Sequence, residues 1–110
     1  MKIGALARQT GVSERMLRFY EGQGLLNPVR TAAGYRQYAE TDVARVAKIR
    51  LLQRAGLALK EVARLLDCLG PAPLCDELRT KLRACQVENR ARQRQLQATA
   101  ELLAQLLGED

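Results

Sequence analysis

From Leu78 to Leu106 the chain repeats with a period of seven: Leu78, Leu82, Cys85, Asn89, Arg92, Leu96, Thr99, Leu103 and Leu106 stand alternately four and three residues apart. That spacing keeps one stripe on one side of an α-helix through four repeats, which is the pattern of a coiled coil. A helix of about 35 residues is roughly 50 Å long, too long for the small remainder of the chain to cover. The stripe therefore asks for a second copy. The residues expected to carry dimerisation are Leu78, Leu82, Cys85, Asn89, Leu96, Leu103 and Leu106. Asn89 and Arg92 make the middle of the stripe polar, which costs stability but can fix register and partner number.

At 110 residues the chain is one domain, or one domain with an appended helix. Gly70-Pro71-Ala72-Pro73 marks a break, so residues 1–69 read as a head and 70–110 as the dimerisation helix. The head reads as short helices. The first spans about residues 2–9 with Ile3, Leu6 and Ala7 inward. Gly11 permits a turn, and Ser13 is placed to cap a second helix, Glu14 to Gln23. Met16, Leu17 and Tyr20 are expected inward there, with Arg15 and Arg18 outside. Residues 25–38 read as a hairpin or wing punctuated by Pro28 and Ala32-Ala33-Gly34. Thr41-Asp42 is expected to cap a third helix to about Arg54, built on Val43, Val46, Ile49 and Leu52 and ended by Gly56. A fourth, about 59–68, buries Leu59, Val62, Leu65 and Leu66, with Ala58 as a poor cap.

Charge separates the two parts. The net charge is +6, but residues 1–60 hold 11 Lys/Arg against 4 Asp/Glu while residues 61–110 hold 7 against 8. The basic half is the head, which points to a polyanion. Duplex nucleic acid fits better than a membrane surface, because no basic amphipathic helix with large aromatics is present. Met1-Lys2-Ile3-Gly4 starts no apolar stretch of signal-peptide length, and no segment reads as a bilayer span, so a cytoplasmic location is expected. The chain has no histidine, no nucleophile motif and no phosphate-cradling glycine loop, which argues against an enzyme.

A helix, a tight turn, a second helix displaying Arg15 and Arg18, and then a basic loop form an arrangement that grips one face of duplex DNA. Arginine suits both guanine edges and phosphates, so at least one of Arg15 and Arg18 is expected in the major groove. Arg36 and Tyr38 in the wing are placed for phosphates, Arg30 is counted with them as a DNA-binding residue, and Tyr20 and Tyr35 are placed for hydroxyl hydrogen bonds or for packing the wing. Beside each assignment stands the plainer one, a solvated charge or a core tyrosine.

Lys2-Ile3-Gly4, Thr10-Gly11-Val12-Ser13, Leu17-Arg18-Phe19-Tyr20-Glu21, Gly24-Leu25-Leu26 and Gly34-Tyr35-Arg36-Gln37-Tyr38, in this order and spacing, resemble the mercury-resistance regulator (MerR) family of bacterial transcription factors. The likeness extends along the whole chain, most strongly over residues 1–66. It implies a mainly α fold: a winged helix–turn–helix with a small β wing, then a long C-terminal helix paired as an antiparallel coiled coil. It also implies a homodimer bound to an inverted repeat in promoter DNA, which distorts the spacer between promoter elements for bacterial RNA polymerase. It supports Arg18, Arg36 and Tyr38 as DNA-contacting residues. Two other readings remain: an architectural, excisionase-like DNA-binding protein, and an effector-less repressor of the same fold.

Cys68, Cys75 and Cys85 are an odd set without a C-x-x-C pair, so neither a disulfide scaffold nor a zinc ribbon is indicated. Cys75 and Cys85 lie about 15 Å apart along a helix and cannot share one ion. Cys85 falls on the seam as a small apolar residue. Cys68 and Cys75 flank the break and are the candidates for a two-thiolate site for zinc, cadmium or mercury, or for a reversible disulfide, with Asp76 as a further oxygen ligand. Structural thiols with no sensing role are the alternative. The resemblance places Cys75 where divalent-metal sensors of the family carry a cysteine. Their partner thiolates come from a loop beyond the coiled coil of the other subunit, and that loop has no counterpart in this sequence.

Overall fold

The computed structural model describes residues 1–70 and 73–109, which form five α-helices, one two-stranded sheet and one 3₁₀ turn. The helices are α1 (Ile3–Thr10), α2 (Glu14–Gly22), α3 (Glu40–Ala55), α4 (Leu59–Leu65) and α5 (Asp76–Leu107). The 3₁₀ turn, Leu66–Cys68, follows α4. Strands β1 (Val29–Arg30) and β2 (Arg36–Gln37) pair antiparallel, Val29 opposite Gln37 and Arg30 opposite Arg36. The chain divides into two compact units, Met1–Pro73 and Leu74–Asp110. Pro71 and Ala72, in the expected break, lie outside the described residues. Among the described residues no helix is long and apolar enough to cross a membrane.

In the first unit the turn between α1 and α2 follows from local chemistry. Gly11 ends α1 in the left-handed region at φ 72°, and its N–H donates to Ala7 O, a conformation that a side chain would strain. Thr10 Oγ1 donates back to Leu6 O at 2.8 Å and accepts from Val12 N at 3.3 Å. Ser13 Oγ then accepts the N–H of Met16 at 3.1 Å, capping α2. The core beneath is Leu6, Leu17, Leu25, Leu26, Val46, Ile49, Val62 and Leu65, each at most 1% exposed. Helix α3 packs on α1, α4 and the 3₁₀ turn. Two of its arginines reach neighbouring carbonyls: Arg45 Nε donates to Leu25 O and Arg50 Nη1 to Thr10 O at 3.1 Å.

Several local expectations need correction. Met16 is 43% exposed rather than inward. Successive helical residues turn by 100°, which sets Met16 on the shoulder of α2 while Leu17 and Tyr20 take the buried side. Ile3 and Ala7 are only half-buried, leaving Leu6 as the buried residue of α1. The cap of α3 is Ala39, not Thr41-Asp42. Asp42 occupies the third helical position and its Oδ2 accepts from Ala39 N at 2.8 Å. Glu61 Oε1 does the same for Ala58 N, at 2.9 Å, at the start of α4. Alanine has no side-chain acceptor, so each helix keeps the acidic half of a capping box and lacks the hydroxyl half. Helix α4 closes at Leu65, and residues 66–68 tighten into the 3₁₀ turn.

The second unit is α5, 32 residues long and so about 48 Å. Along its seven-residue stripe Leu78 is buried, Leu82 and Cys85 are half-buried, and Asn89, Arg92, Leu96, Thr99, Leu103 and Leu106 are exposed. Arg92 Nη2 pairs with Glu88 Oε1 at 2.9 Å one turn back.

Candidate nucleic-acid interface

Because Leu17 and Tyr20 anchor α2 to the core, its opposite face is presented outward. Arg15 and Arg18 are exposed there, three residues apart and on one side of the helix. Glu21, closer to the core, connects α2 to the wing. Its carboxylate accepts a hydrogen bond from Arg36 Nε and lies 3.5 Å from Arg30 Nη2. Arg30 Nη1 also donates to Gly34 O at 3.3 Å across the wing turn. Two wing arginines therefore share one carboxylate, which holds the wing beside α2. The base of the wing is tied separately: Tyr38 N donates to Met1 O at 2.7 Å, and the Met1 ammonium donates to Tyr38 O.

The three tyrosines differ. Tyr35 is 64% exposed, and Lys2 Nζ stands 5.5 Å from its ring centroid, a cation–π distance. Tyr20 is buried and its hydroxyl donates to Gln53 Oε1 at 2.8 Å, so it serves packing between α2 and α3 rather than the surface. Tyr38 is 2% exposed, and its hydroxyl is buried without a hydrogen-bond partner among the described residues. The hydroxyl expected at a phosphate thus lies beneath the surface of the free chain, because the Tyr38 ring fills the core at the foot of the wing. Burial pushes the Tyr20 phenol above its usual value of 10.0, against the pull of the Arg50 charge. Burial also raises Tyr38. The Glu21 and Asp42 carboxylates add to that shift, and the Arg36 and Arg18 guanidiniums oppose it.

A cleft of about 170 Å³ opens between the start of α1 and the wing, lined by Lys2, Ile3, Gly34, Tyr35 and Arg36. With Arg15, Arg18, Arg30 and Arg36 it makes this side of the first unit cationic. Two of its residues were not singled out from sequence. Lys2 lay within the quoted motif, and its charge beside a wing tyrosine was the available signal. Glu21 is an acidic residue whose carboxylate meets two wing arginines, a pairing visible only once the wing folds back.

Cys68 ends the 3₁₀ turn, Cys75 is the N-cap of α5, and Cys85 lies on α5, all three half-buried. Among the described residues no group of three or more His, Cys, Asp or Glu side chains could hold an ion.

Two family models match: MerR HTH family regulatory protein over residues 1–69, and MerR, DNA binding, over residues 43–106. A probable heavy metal-dependent transcriptional regulator of Haemophilus influenzae is 40% identical over 81 residues, covering 72% of this chain and 63% of that protein. PbrR691 of Ralstonia metallidurans CH34, solved in complex with lead(II), is 30% identical with a TM-score of 0.73, covering 96% of this chain and 84% of that one. HiNmlR, described as a MerR family regulator lacking the sensor domain and solved bound to promoter DNA, is 26% identical with a TM-score of 0.65. It covers 98% of this chain and 94% of that one. The chain spans only 36–54% of the length of other curated relatives, among them a nodulation protein and a mercuric resistance operon regulatory protein. The relatives are transcriptional regulators, not enzymes. The chain belongs to the MerR family of helix–turn–helix transcriptional regulators, with a DNA-binding head of winged helix–turn–helix form.

Proposed function

We propose that two copies pair through α5 and set their heads on the two halves of an inverted repeat in promoter DNA. The observation that carries this is the joined cationic surface of α2 and the wing: Arg15 and Arg18 face outward while Glu21 holds Arg30 and Arg36 alongside. In this reading Arg15 and Arg18 enter the major groove. Lys2, Tyr35 and the terminal nitrogens of Arg36 hold phosphates on either side. The exposed stripe at Leu96, Leu103 and Leu106 supports a second helix lying against α5; in this proposal it runs antiparallel.

Two heads on one DNA face need half-sites a whole number of turns apart. A helix of about 48 Å with a head at each end suits two turns, about 68 Å, better than one. A dimer that grips both ends and touches the spacer little acts by bending and untwisting it, which re-phases promoter elements for bacterial RNA polymerase. Residues 1–69 are the DNA-binding domain in this proposal, and residues 70–110 the dimerisation helix. A metal signal through Cys75 and Cys68 belongs to this proposal: two thiolates suit a soft ion, and an ion that takes three or four protein ligands would draw further donors from outside the described residues.

The test is a footprint on an operator selected from a random duplex library. Two protected half-sites centred about two turns apart, with hypersensitive cleavage in the spacer, are expected. Protection of one half-site by a monomer, or continuous coating of the duplex, would overturn the dimeric-regulator reading in favour of an architectural one.

A further inference from the structure

Phe19 is a large apolar side chain that the fold leaves uncovered. Helix α2 meets its core through Leu17 and Tyr20, yet Phe19 is 51% exposed on the other side. At 100° per residue it stands about 40° round the helix from Arg15 and one turn beyond it, and about 100° from Arg18, so the ring neighbours Arg15 on the outward side of α2.

A phenylalanine on that face has neither donor nor acceptor and offers only apolar contact. Among the base edges in the major groove one group answers that chemistry, the 5-methyl of thymine. We propose that Phe19 is a specificity-determining residue that packs on a thymine methyl in each half-site, beside the bases and phosphates held by Arg15 and Arg18. This rests on the reading of α2 as the helix that enters the major groove.

The test uses the full chain and its selected operator. Each thymine of one half-site is replaced in turn by deoxyuridine, which removes one methyl and keeps base pairing. Affinities are measured by fluorescence anisotropy for the wild type and for Phe19→Ala and Phe19→Leu. For at least one thymine, deoxyuridine should weaken wild-type binding about fourfold, equal to ~0.8 kcal/mol at 1.4 kcal/mol per decade. Phe19→Ala should bind thymine and uracil alike there, and Phe19→Leu should keep part of the discrimination. A flat wild-type scan, which needs no variant to fold, overturns the proposal, as does full discrimination by Phe19→Ala. Arg15→Ala/Arg18→Ala separates the two levels. If it binds the operator as the wild type does, α2 is not the reading helix and both readings fall. If it loses binding while the deoxyuridine scan stays flat, only the role of Phe19 falls.

Discussion

Cutting the link between Glu21 and Arg36 should loosen the wing by a measurable amount. The Glu21 side chain is 18% exposed and Arg36 36% exposed, whereas Arg30, the second partner, is 52% exposed and 3.5 Å away. A hydrogen bond between two charged groups contributes about 1.5–3 kcal/mol, and the partial exposure of Arg36 lowers this toward ~1–1.5 kcal/mol. The Arg30 contact, longer and more exposed, should add no more than ~0.5 kcal/mol. Urea unfolding of the wild type, Glu21→Ala, Arg36→Ala and the double variant closes a cycle whose coupling term isolates the pair. A second cycle with Arg30→Ala gives the internal comparison. The coupling to Arg36 should exceed that to Arg30 at least twofold. It should also survive added salt better, since a half-buried pair is screened less than an exposed one. Equal couplings, or a value for Arg36 within ~0.3 kcal/mol of zero, would refute the reasoning.

Three further outcomes are expected. Arg18→Ala should weaken operator binding by about 1–3 kcal/mol if Arg18 reads a base, and unchanged affinity by anisotropy would remove that role. Replacing both Leu96 and Leu103 by Asp should abolish the dimer, because it places two charges in each copy on the stripe where apolar contact is needed; sedimentation of an intact dimer would contradict the seam. Tyr38→Phe removes a buried hydroxyl that has no partner among the described residues, so at neutral pH it should be neutral or stabilising by about 1 kcal/mol. Its pH dependence has a definite sign: a phenol raised above 10.0 in the folded chain binds its proton more tightly there than when unfolded. Stability is therefore full below pH 10 and falls as the pH climbs from 10 toward the folded value. The variant should lose less over that range, with Tyr20 carrying part of the remaining slope, and identical alkaline curves for the two proteins would exclude Tyr38 from the effect.

Periodicity and punctuation made the elements legible in the sequence. Gly11, Ser13 and Gly56 act on their own neighbours, so the turn between α1 and α2, the start of α2 and the end of α3 follow from local backbone chemistry. The four-three spacing likewise foretold α5 to within a few residues. Facing was harder. Hydrophobicity alone suggested that Met16 is inward, yet on a nine-residue helix one step of 100° moves a residue from core to shoulder. The caps of α3 and α4 were misplaced or undervalued for a related reason. Asp42 and Glu61 reach back three residues to the N–H of an alanine, and the eye looks for a hydroxyl at that position. Tyr38 illustrates a further limit: a basic, aromatic wing motif reads as surface, but in the fold the Tyr38 ring is 2% exposed, a burial that no spacing within the motif encodes.

Glu21 shows how a cationic site can be built without flying apart before its polyanion arrives. Four arginines, at 15, 18, 30 and 36, converge on α2 and the wing, and like charges at such spacing repel. One carboxylate on the inner edge of α2 offsets part of that repulsion and fixes the wing at the same stroke. The geometry leaves recognition intact, because a guanidinium carries five N–H donors and Glu21 takes the one at Nε of Arg36. The terminal nitrogens remain to meet a phosphate, so wing anchoring and phosphate binding need not compete for the same hydrogens. Preorganisation of this kind reduces the ordering cost of binding. Glu21→Ala should consequently weaken operator affinity although it removes a negative charge from a DNA-binding surface, whereas simple charge counting predicts the opposite sign.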